Sequence, residues 1–403
     1  MPEIAVIGVT LSGNKGAASM LLSGVENIAR LAPNARFAVL SIYPDEDQAA
    51  NHDPRVEIVS ARPLALLAAV PLALLWWALA RLGLSPGLLR RNRILAALDR
   101  CQLLVDMSGI SFSDGRGAVL AYNVACVLPA LLLGRPVMKY SQALGPFETV
   151  LNRTLARILL PRLALIAARG EITRGYLREL DLENVTLCAD AAFALDETDE
   201  PDGPEGFAGR RLVGIAASSV VRAYCRQRGL DYCRILADFV DGLVAAGEYG
   251  VWLIAHAVRR SEKGGRTSDV EACQAIYALV QHKQHCRLVV EDHPPAALRA
   301  FIGRCDFFVA SRFHAMVSAL STGVPVLVTS WSHKYREVLA AFGLEAWTVD
   351  YRSLSAAALG ERFGALVAQE REVRDRIACH LPGAIESAQQ NARLAASLLE
   401  RGD

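Results

Sequence analysis

Short aliphatic runs alternate with longer stretches of mixed polarity along this chain. The runs Ile4–Val9, Phe37–Ile42, Leu103–Asp106, Val137–Ser141, Leu165–Ala168 and Val185–Cys188 have the length and β-branched content of buried strands. Between them, helices are expected at Ala17–Leu31, Gly117–Leu133, Thr149–Pro161 and Thr173–Leu180. Strands joined through helices predict parallel pairing in a doubly wound sheet. From Asp196 to Arg210 the pattern stops in an acidic, Gly- and Pro-rich stretch that reads as a linker. A second series follows at Val213–Ala216, Val251–Ala255, Leu288–Val290, Phe307–Ala310, Val326–Thr329 and Trp347–Val349. Its helices include Tyr232–Ala246 and Ala297–Cys305. From Ala356 onward the pattern is helical, with a break expected at Pro382-Gly383.

The expected fold is therefore α/β, with two Rossmann-like, doubly wound lobes in a glycosyltransferase-B-like arrangement and a helical C-terminal tail. The N-terminal lobe covers 1–196, the linker 197–210, the C-terminal lobe 211–355 and the tail 356–403. The ligand is expected in the cleft of such an arrangement, beyond the carboxyl ends of the strands.

One segment departs from the alternation. Leu64–Ala80 is 17 residues without a charge, flanked by Arg62 and Arg81, with Arg90, Arg91 and Arg93 beyond. Three readings stand: a buried or interface helix, a helix dipping into one face of a membrane, or a span. Trp76–Trp77 and the arginines suit a headgroup layer. A span would split one α/β lobe across the bilayer, and Pro71 weakens a straight one.

Composition narrows the function classes. The 403 residues are 52% hydrophobic and 21% charged, which excludes disorder. Lys+Arg 43 against Asp+Glu 42 leaves +1, so no bulk field favours nucleic acid. Any anion site has to be a local cluster. The nine cysteines include no CxxC pair and sit mostly in apolar runs, as free thiols of a reducing compartment do. Cys286 with His282 and His285 lacks a second ligand pair for zinc, and no metal is expected. MPEIAVIGVT reads as a first strand, not a signal peptide. The expected location is the cytoplasm, with peripheral contact at the inner face of the cytoplasmic membrane if 64–80 is interfacial.

The chemistry concentrates at strand ends. Ser311-Arg312-Phe313-His314 follows Ala310 and opens a helix. Gly323-Val324-Pro325 then feeds the next strand, which ends at Ser330 before His333-Lys334. Two cationic pairs at successive strand ends, one at a helix N-terminus, suit a small and highly charged anion. Arginine adds a bidentate fork for carboxylate or phosphate. Singly, such an Arg would more often pair with a carboxylate, and such a His would sit satisfied in a core. After the first strand, Ser12-Gly13-Asn14-Lys15-Gly16 forms a turn that matches neither a Walker loop nor GxGxxG. Further polar groups close other strands: Asp106 to Asp114 with Ser108-Gly109, Ser141-Gln142, Arg169, Asp190 and His256. Each alone is as ordinary as a turn or cap, and their repetition on one edge is the informative part.

Taken together, these motifs resemble the polysaccharide pyruvyl transferase family over roughly Ile4 to Leu344. The likeness rests on Gly13-Asn14-Lys15-Gly16, Ser108-Gly109, Ser141 to Phe147, Ala168-Arg169, Asp190 and, most diagnostic, Ser311 to Ala315, followed by Gly323, Pro325 and Lys334. Two departures bear on the acceptor side. Ala17 and Ala18 stand where many members have an acidic residue, and Ile110 where a second glycine is usual. The resemblance implies transfer of a carboxyethylidene group from phosphoenolpyruvate to a sugar of a cell-surface or lipid-linked glycan, with release of phosphate. No cofactor is implied, since phosphoenolpyruvate is itself the donor. Arg312, with Arg169 and Lys334, is then expected to hold the donor. His314 or His333 is expected to act as acid, and Asp190 to orient a histidine or take a sugar proton. Ser311, Phe313, Asn14, Gly16, Ser108, Gly109, Gln142 and His256 are expected to line the substrates.

A nucleotide-sugar glycosyltransferase of the same fold is the first rival. Such enzymes place a carboxylate five residues before the glycine of Gly-x-Pro, where this chain has Ser318. The second rival is a relative that binds an anion without catalysis.

Overall fold

The computed structural model describes residues 2–114, 117–198, 205–259 and 268–401. The chain divides into two compact units. One comprises Met1–Ser12, Met20–Ala194 and Glu386–Asp403, the other Gly13–Ser19 and Leu195–Ile385. Within the linker expected at 197–210, residues 199–204 lie outside the described residues.

The first unit is built on β1 (Glu3–Ile7), β2 (Arg36–Ser41), β3 (Val56–Ser60), β4 (Leu103–Asp106), β5 (Ile110–Ser111), β6 (Val137–Leu144), β7 (Leu165–Ala168) and β8 (Val185–Leu187). The order across the sheet is β3-β2-β1-β4-β6-β7-β8, with β5 beside β6 and every pair parallel. The second unit carries β9 (Arg211–Ala217), β10 (Tyr249–Ala255), β11 (Cys286–Val289), β12 (Phe307–Ala310), β13 (Val326–Ser330) and β14 (Thr348–Asp350). Its order is β11-β10-β9-β12-β13-β14, again all parallel. In both sheets the unit's first strand is central. The next two step to one side and the fourth returns to the other. The order thus reverses between β1 and β4, and between β9 and β12, where doubly wound sheets take ligands.

The apolar runs form central strands because helices cover both sheet faces. FFVA of β12 and all eight residues of β6 are buried. Sequence reading missed β3 and β5, and the short helices Pro44–Ala50 and Arg93–Arg100. β3 is an edge strand (VEIVS) whose Glu57 interrupts the apolar signal, and β5 is only two residues long. The tail is helical at Ala356–Ala368 and Glu370–Glu400, and the break falls at Gln369, not at Pro382-Gly383. Pro382 and Gly383 are exposed, as is Ala378, so the carbonyl deprived of its donor reaches water.

Eight cysteines are buried, Cys379 is exposed, and all are free thiols. Burial pushes Cys101 and Cys225 up to about 11, which keeps them protonated and inert.

Candidate active site

At the carboxyl edge of the second sheet, β9, β10 and β12 are followed by Ser218-Ser219, His256 and Ser311-Arg312. Ser311 is held from three directions. Its N–H donates to the Ala216 carbonyl at 3.0 Å. The Tyr232 hydroxyl donates to its Oγ at 2.9 Å, and the Tyr335 hydroxyl to its carbonyl at 3.3 Å. Burial pushes both phenols up, so they remain neutral donors. Ser311 is buried, and its hydroxyl is committed to Tyr232.

Arg312 grips Asp269 with two nitrogens: Nε donates to Oδ2 at 2.8 Å and Nη2 to Oδ1 at 2.5 Å. Nη2 also donates to the Ser219 hydroxyl at 3.2 Å, and the Ser219 N–H donates to Asp269 Oδ1 at 2.9 Å. Burial works against the guanidinium charge, but Asp269 more than offsets it and holds the group above its ordinary pKa. Asp269 is fully buried, whereas the Arg312 side chain keeps 18% of its surface exposed. Arg312 is also the N-cap of the helix Phe313–Ser321. It offers no capping acceptor to the first N–H groups.

The Gly13–Gly16 loop, expected with the 1–196 lobe, groups with this second unit. Asn14 forms an antiparallel bridge with Ala257. The Val258 N–H donates to the Gly13 carbonyl at 2.9 Å, and the Lys15 N–H to the His256 carbonyl at 3.3 Å. Asn14 Oδ1 accepts the Gly16 N–H at 3.2 Å and closes the turn. Gly16 lies flat against the His314 ring: a Cβ there would stand 2.0 Å from Nδ1. The buried Lys15 ammonium pairs with Asp292.

These contacts collect Lys15, Arg312 and His314 around His256. The His256 ring is buried and its pKa is pushed down to about 3. Burial is the main cause, followed by the charges of His314 and Arg312 and, more weakly, Lys15. Deeper in, Phe313 is buried against Tyr335. Lys334 Nζ sits 4.9 Å from the Phe313 ring, 5.1 Å from Trp331 and 5.6 Å from Tyr335. His333 Nε2 lies 4.0 Å from Glu337 Oε2, one turn along the helix His333–Ala341.

The remaining candidates belong to the first unit and form a different kind of network. Arg169 Nη1 pairs with Asp190 Oδ2 at 2.7 Å, both side chains essentially fully buried. Arg169 Nη2 donates to the Gly109 carbonyl at 2.7 Å, and its backbone N–H to the Gln142 carbonyl at 2.9 Å. Gln142 Nε2 donates to Asp106 Oδ1 at 2.8 Å, and its Oε1 accepts the Ser111 hydroxyl at 2.6 Å. Lys139 completes the set against Asp106 at 2.6 Å. Ser141, at φ 54, marks an irregular register in β6 that turns Gln142 toward this network. The Asp190 carboxylate is taken up by Arg169 and the Ala192 N–H. Asp190 and Arg169, expected as an acid–base group and as a cation, are thus engaged with each other in the structure. Ser108 lies across from Gly8, where a Cβ would come within 2.2 Å of its Oγ. That buried hydroxyl has no hydrogen-bond partner among the described residues.

Sequence reading missed Asp269, Ser219 and Asp292 and did not single out Lys15 for the site. Asp269 stands just before the helix Val270–Leu279, where an Asp signals an ordinary cap. Only the fold carries it to Arg312.

Solved structures of similar architecture include epimerases and glycosyltransferases. The UDP-GlcNAc 2-epimerase from Neisseria meningitidis bound to UDP-GlcNAc is 11% identical, covers 100% of each chain and has a TM-score of 0.62. MnaA from S. aureus, solved with UDP, is 12% identical over 97% of this chain and 94% of its own, with a TM-score of 0.64. The calicheamicin glycosyltransferase CalG4 is 12% identical over 99% of each chain, at a TM-score of 0.55. At such identity the likeness is one of fold, and the fold class is the two-lobed one of glycosyltransferase-B enzymes. Sequence narrows it further: residues 14–333 match the family model for polysaccharide pyruvyl transferase, and the chain belongs to that family. It is also 21% identical to the amylovoran biosynthesis protein AmsJ of Erwinia amylovora over 294 residues, 70% of this chain and 69% of that one.

Proposed function

We propose that this chain transfers a carboxyethylidene group from phosphoenolpyruvate to a sugar of a polysaccharide or its precursor and releases phosphate. The observation that carries the reading is the meeting of Arg312, His314 and the Lys15–Gly16 turn beside His256, at the reversal point of the second sheet and inside the family match. Phosphoenolpyruvate places a carboxylate and a phosphate on three carbons, so it needs convergent positive groups. Arg312 is the anchor, its fork oriented by Asp269 and Ser219. The uncapped start of Phe313–Ser321 adds N–H donors, and Lys15 and Lys334 supply further positive charge.

His314 is assigned as the acid, because its ring lies against Gly16 and it sits in the first turn of the helix that Arg312 caps. It gives a proton to the donor's methylene carbon, which becomes a methyl group and leaves C2 cationic. A sugar hydroxyl adds to C2 and loses its proton. The C2–O bond to phosphate then breaks with its electron pair on phosphate. A second hydroxyl closes the ketal and loses the second proton. Of the two hydroxyl protons, one repays the acid and the other leaves with phosphate.

The test is incubation with phosphoenolpyruvate and a panel of free and lipid-linked glycans. Phosphate release should match the mass gained by the glycan as ketal. Phosphoenolpyruvate binding without either product would replace this reading with an anion-binding relative. Turnover with a nucleotide sugar alone would replace it with a glycosyltransferase.

A further inference from the structure

The helix Pro63–Arg81 is long and apolar enough to cross a membrane, with mean hydropathy 2.0. Its surroundings exclude a crossing. β3 immediately before it and β4 shortly after it lie in one sheet, joined through β2 and β1. A span would put these strands on opposite sides of the bilayer. Leu66, Ala69, Ala73 and Trp76 recur at helical spacing and are buried, and the helix packs on Gly117–Leu132. Yet only 22% of its apolar window is buried. Leu67, Leu74, Leu75 and Trp77 are exposed, and the turn that follows exposes Leu82, at 73%, and Leu88, at 69%. Trp76 and Trp77 therefore part company, one in the core and one at the surface.

Charge says what covers this face. Arg62 to Leu98 contains five arginines and no Asp or Glu, although the whole chain nets only +1. Arg62, Arg81, Arg90, Arg91 and Arg93 are all exposed. Arg81 lies 5.0 Å over Trp77, the aromatic–cation pairing suited to the headgroup level. A second copy would present the same arginines and meet them with like charge. Arg62 faces Asp45 and Arg90 faces Asp99 at the margin, whereas Arg81, Arg91 and Arg93 have no ion pair among the described residues. An apolar face rimmed by these cations fits one occupant, a bilayer bearing anionic phospholipid.

We propose that Pro63–Arg81 and the turn through Leu88 form a monotopic seat on anionic membranes, lying in the interface plane without crossing it. The seat is independent of the reaction proposed above. The purified full-length chain should co-sediment with phosphatidylcholine–phosphatidylglycerol vesicles and much less with phosphatidylcholine alone. Leu74→Glu with Leu75→Glu changes only exposed positions and should cut vesicle binding about tenfold or more. Arg90→Ala with Arg91→Ala should weaken binding to phosphatidylglycerol several-fold and reduce its salt sensitivity. Brominated acyl chains should quench tryptophan fluorescence in the wild type and much less in Trp77→Phe. The seat is refuted if the wild type ignores phosphatidylglycerol vesicles at low salt. It is equally refuted if the wild type is a dimer that Leu74→Glu with Leu75→Glu makes monomeric, because a second copy would then own the face.

Discussion

The two sheets share a strand order but use their carboxyl edges differently. In the first unit, Lys139–Asp106 and Arg169–Asp190 are closed ion pairs, wholly buried and tied to backbone carbonyls. In the second, Arg312 and Lys15 are also paired, with Asp269 and Asp292, but Arg312 keeps part of its surface, and burial, reinforced by His314, Arg312 and Lys15, holds His256 neutral. A balanced network of buried charges mainly specifies loop geometry, because removing any partner strands another. A pair that keeps part of its surface leaves donors that a ligand could reach. The same topology therefore closes its ion pairs fully in one unit and leaves part of one accessible in the other.

The sharpest break of that comparison lies at Arg312. Arg312→Ala should lower turnover by about a thousandfold, since it removes the proposed donor's anchor. It should also destabilise the unit by about 3 kcal/mol, because Asp269 is left buried without its partner. Arg312→Ala with Asp269→Asn should recover part of the stability and none of the turnover. Recovery of both would make Arg312 a purely structural residue.

Asp190→Ala tests the opposite behaviour. It leaves the Arg169 charge buried and should cost about 3–5 kcal/mol in denaturant unfolding. Asp190→Asn, which keeps a hydrogen-bond acceptor, should cost less and leave turnover of the folded fraction within about threefold of wild type. A loss of a hundredfold at intact stability would return Asp190 to the chemistry.

Gly16→Ala probes the seam between loop and imidazole. The added methyl meets the His314 ring, so about 1–3 kcal/mol of overpacking is expected. Because the ring must shift, kcat should fall about tenfold or more while the acceptor KM changes little. An unchanged kcat would detach His314 from proton transfer.

His256 supplies the smallest effect, read as pH dependence. Its folded pKa, about 3, lies below the ordinary 6.5, so between those values the unfolded chain binds the extra proton. Its contribution to stability is complete above pH 6.5 and is lost progressively as pH falls toward 3. Between pH 6.5 and 5, wild type should lose about 1–2 kcal/mol more than His256→Gln. Parallel losses in the two proteins would mean that this ring is not held neutral.

How much of this was legible depends on the range of each signal. Buried parallel strands are apolar on both faces, so β4, β7 and β12 could be read directly, with their ends. Arg312 and His314 stood out for a local reason, as cationic residues where a strand gives way to a helix. β3 was missed because an edge strand carries charge, and Trp76 and Trp77 could not be told apart as neighbours in a run. The continuation through Pro382 depended on where that proline faces.

By itself, the sequence determined the two lobes, the strand ends that bear polar groups and the family, because these follow from local period and motif. Only the tertiary structure decided the partners. Asp269 reaches Arg312 from 43 residues away, Asp190 reaches Arg169 from 21, and Gly16 meets His314 from the far end of the chain. A charge is visible in a sequence, but its balance is a property of space. Which cations are neutralised and which remain for a ligand is settled only when distant segments pack together.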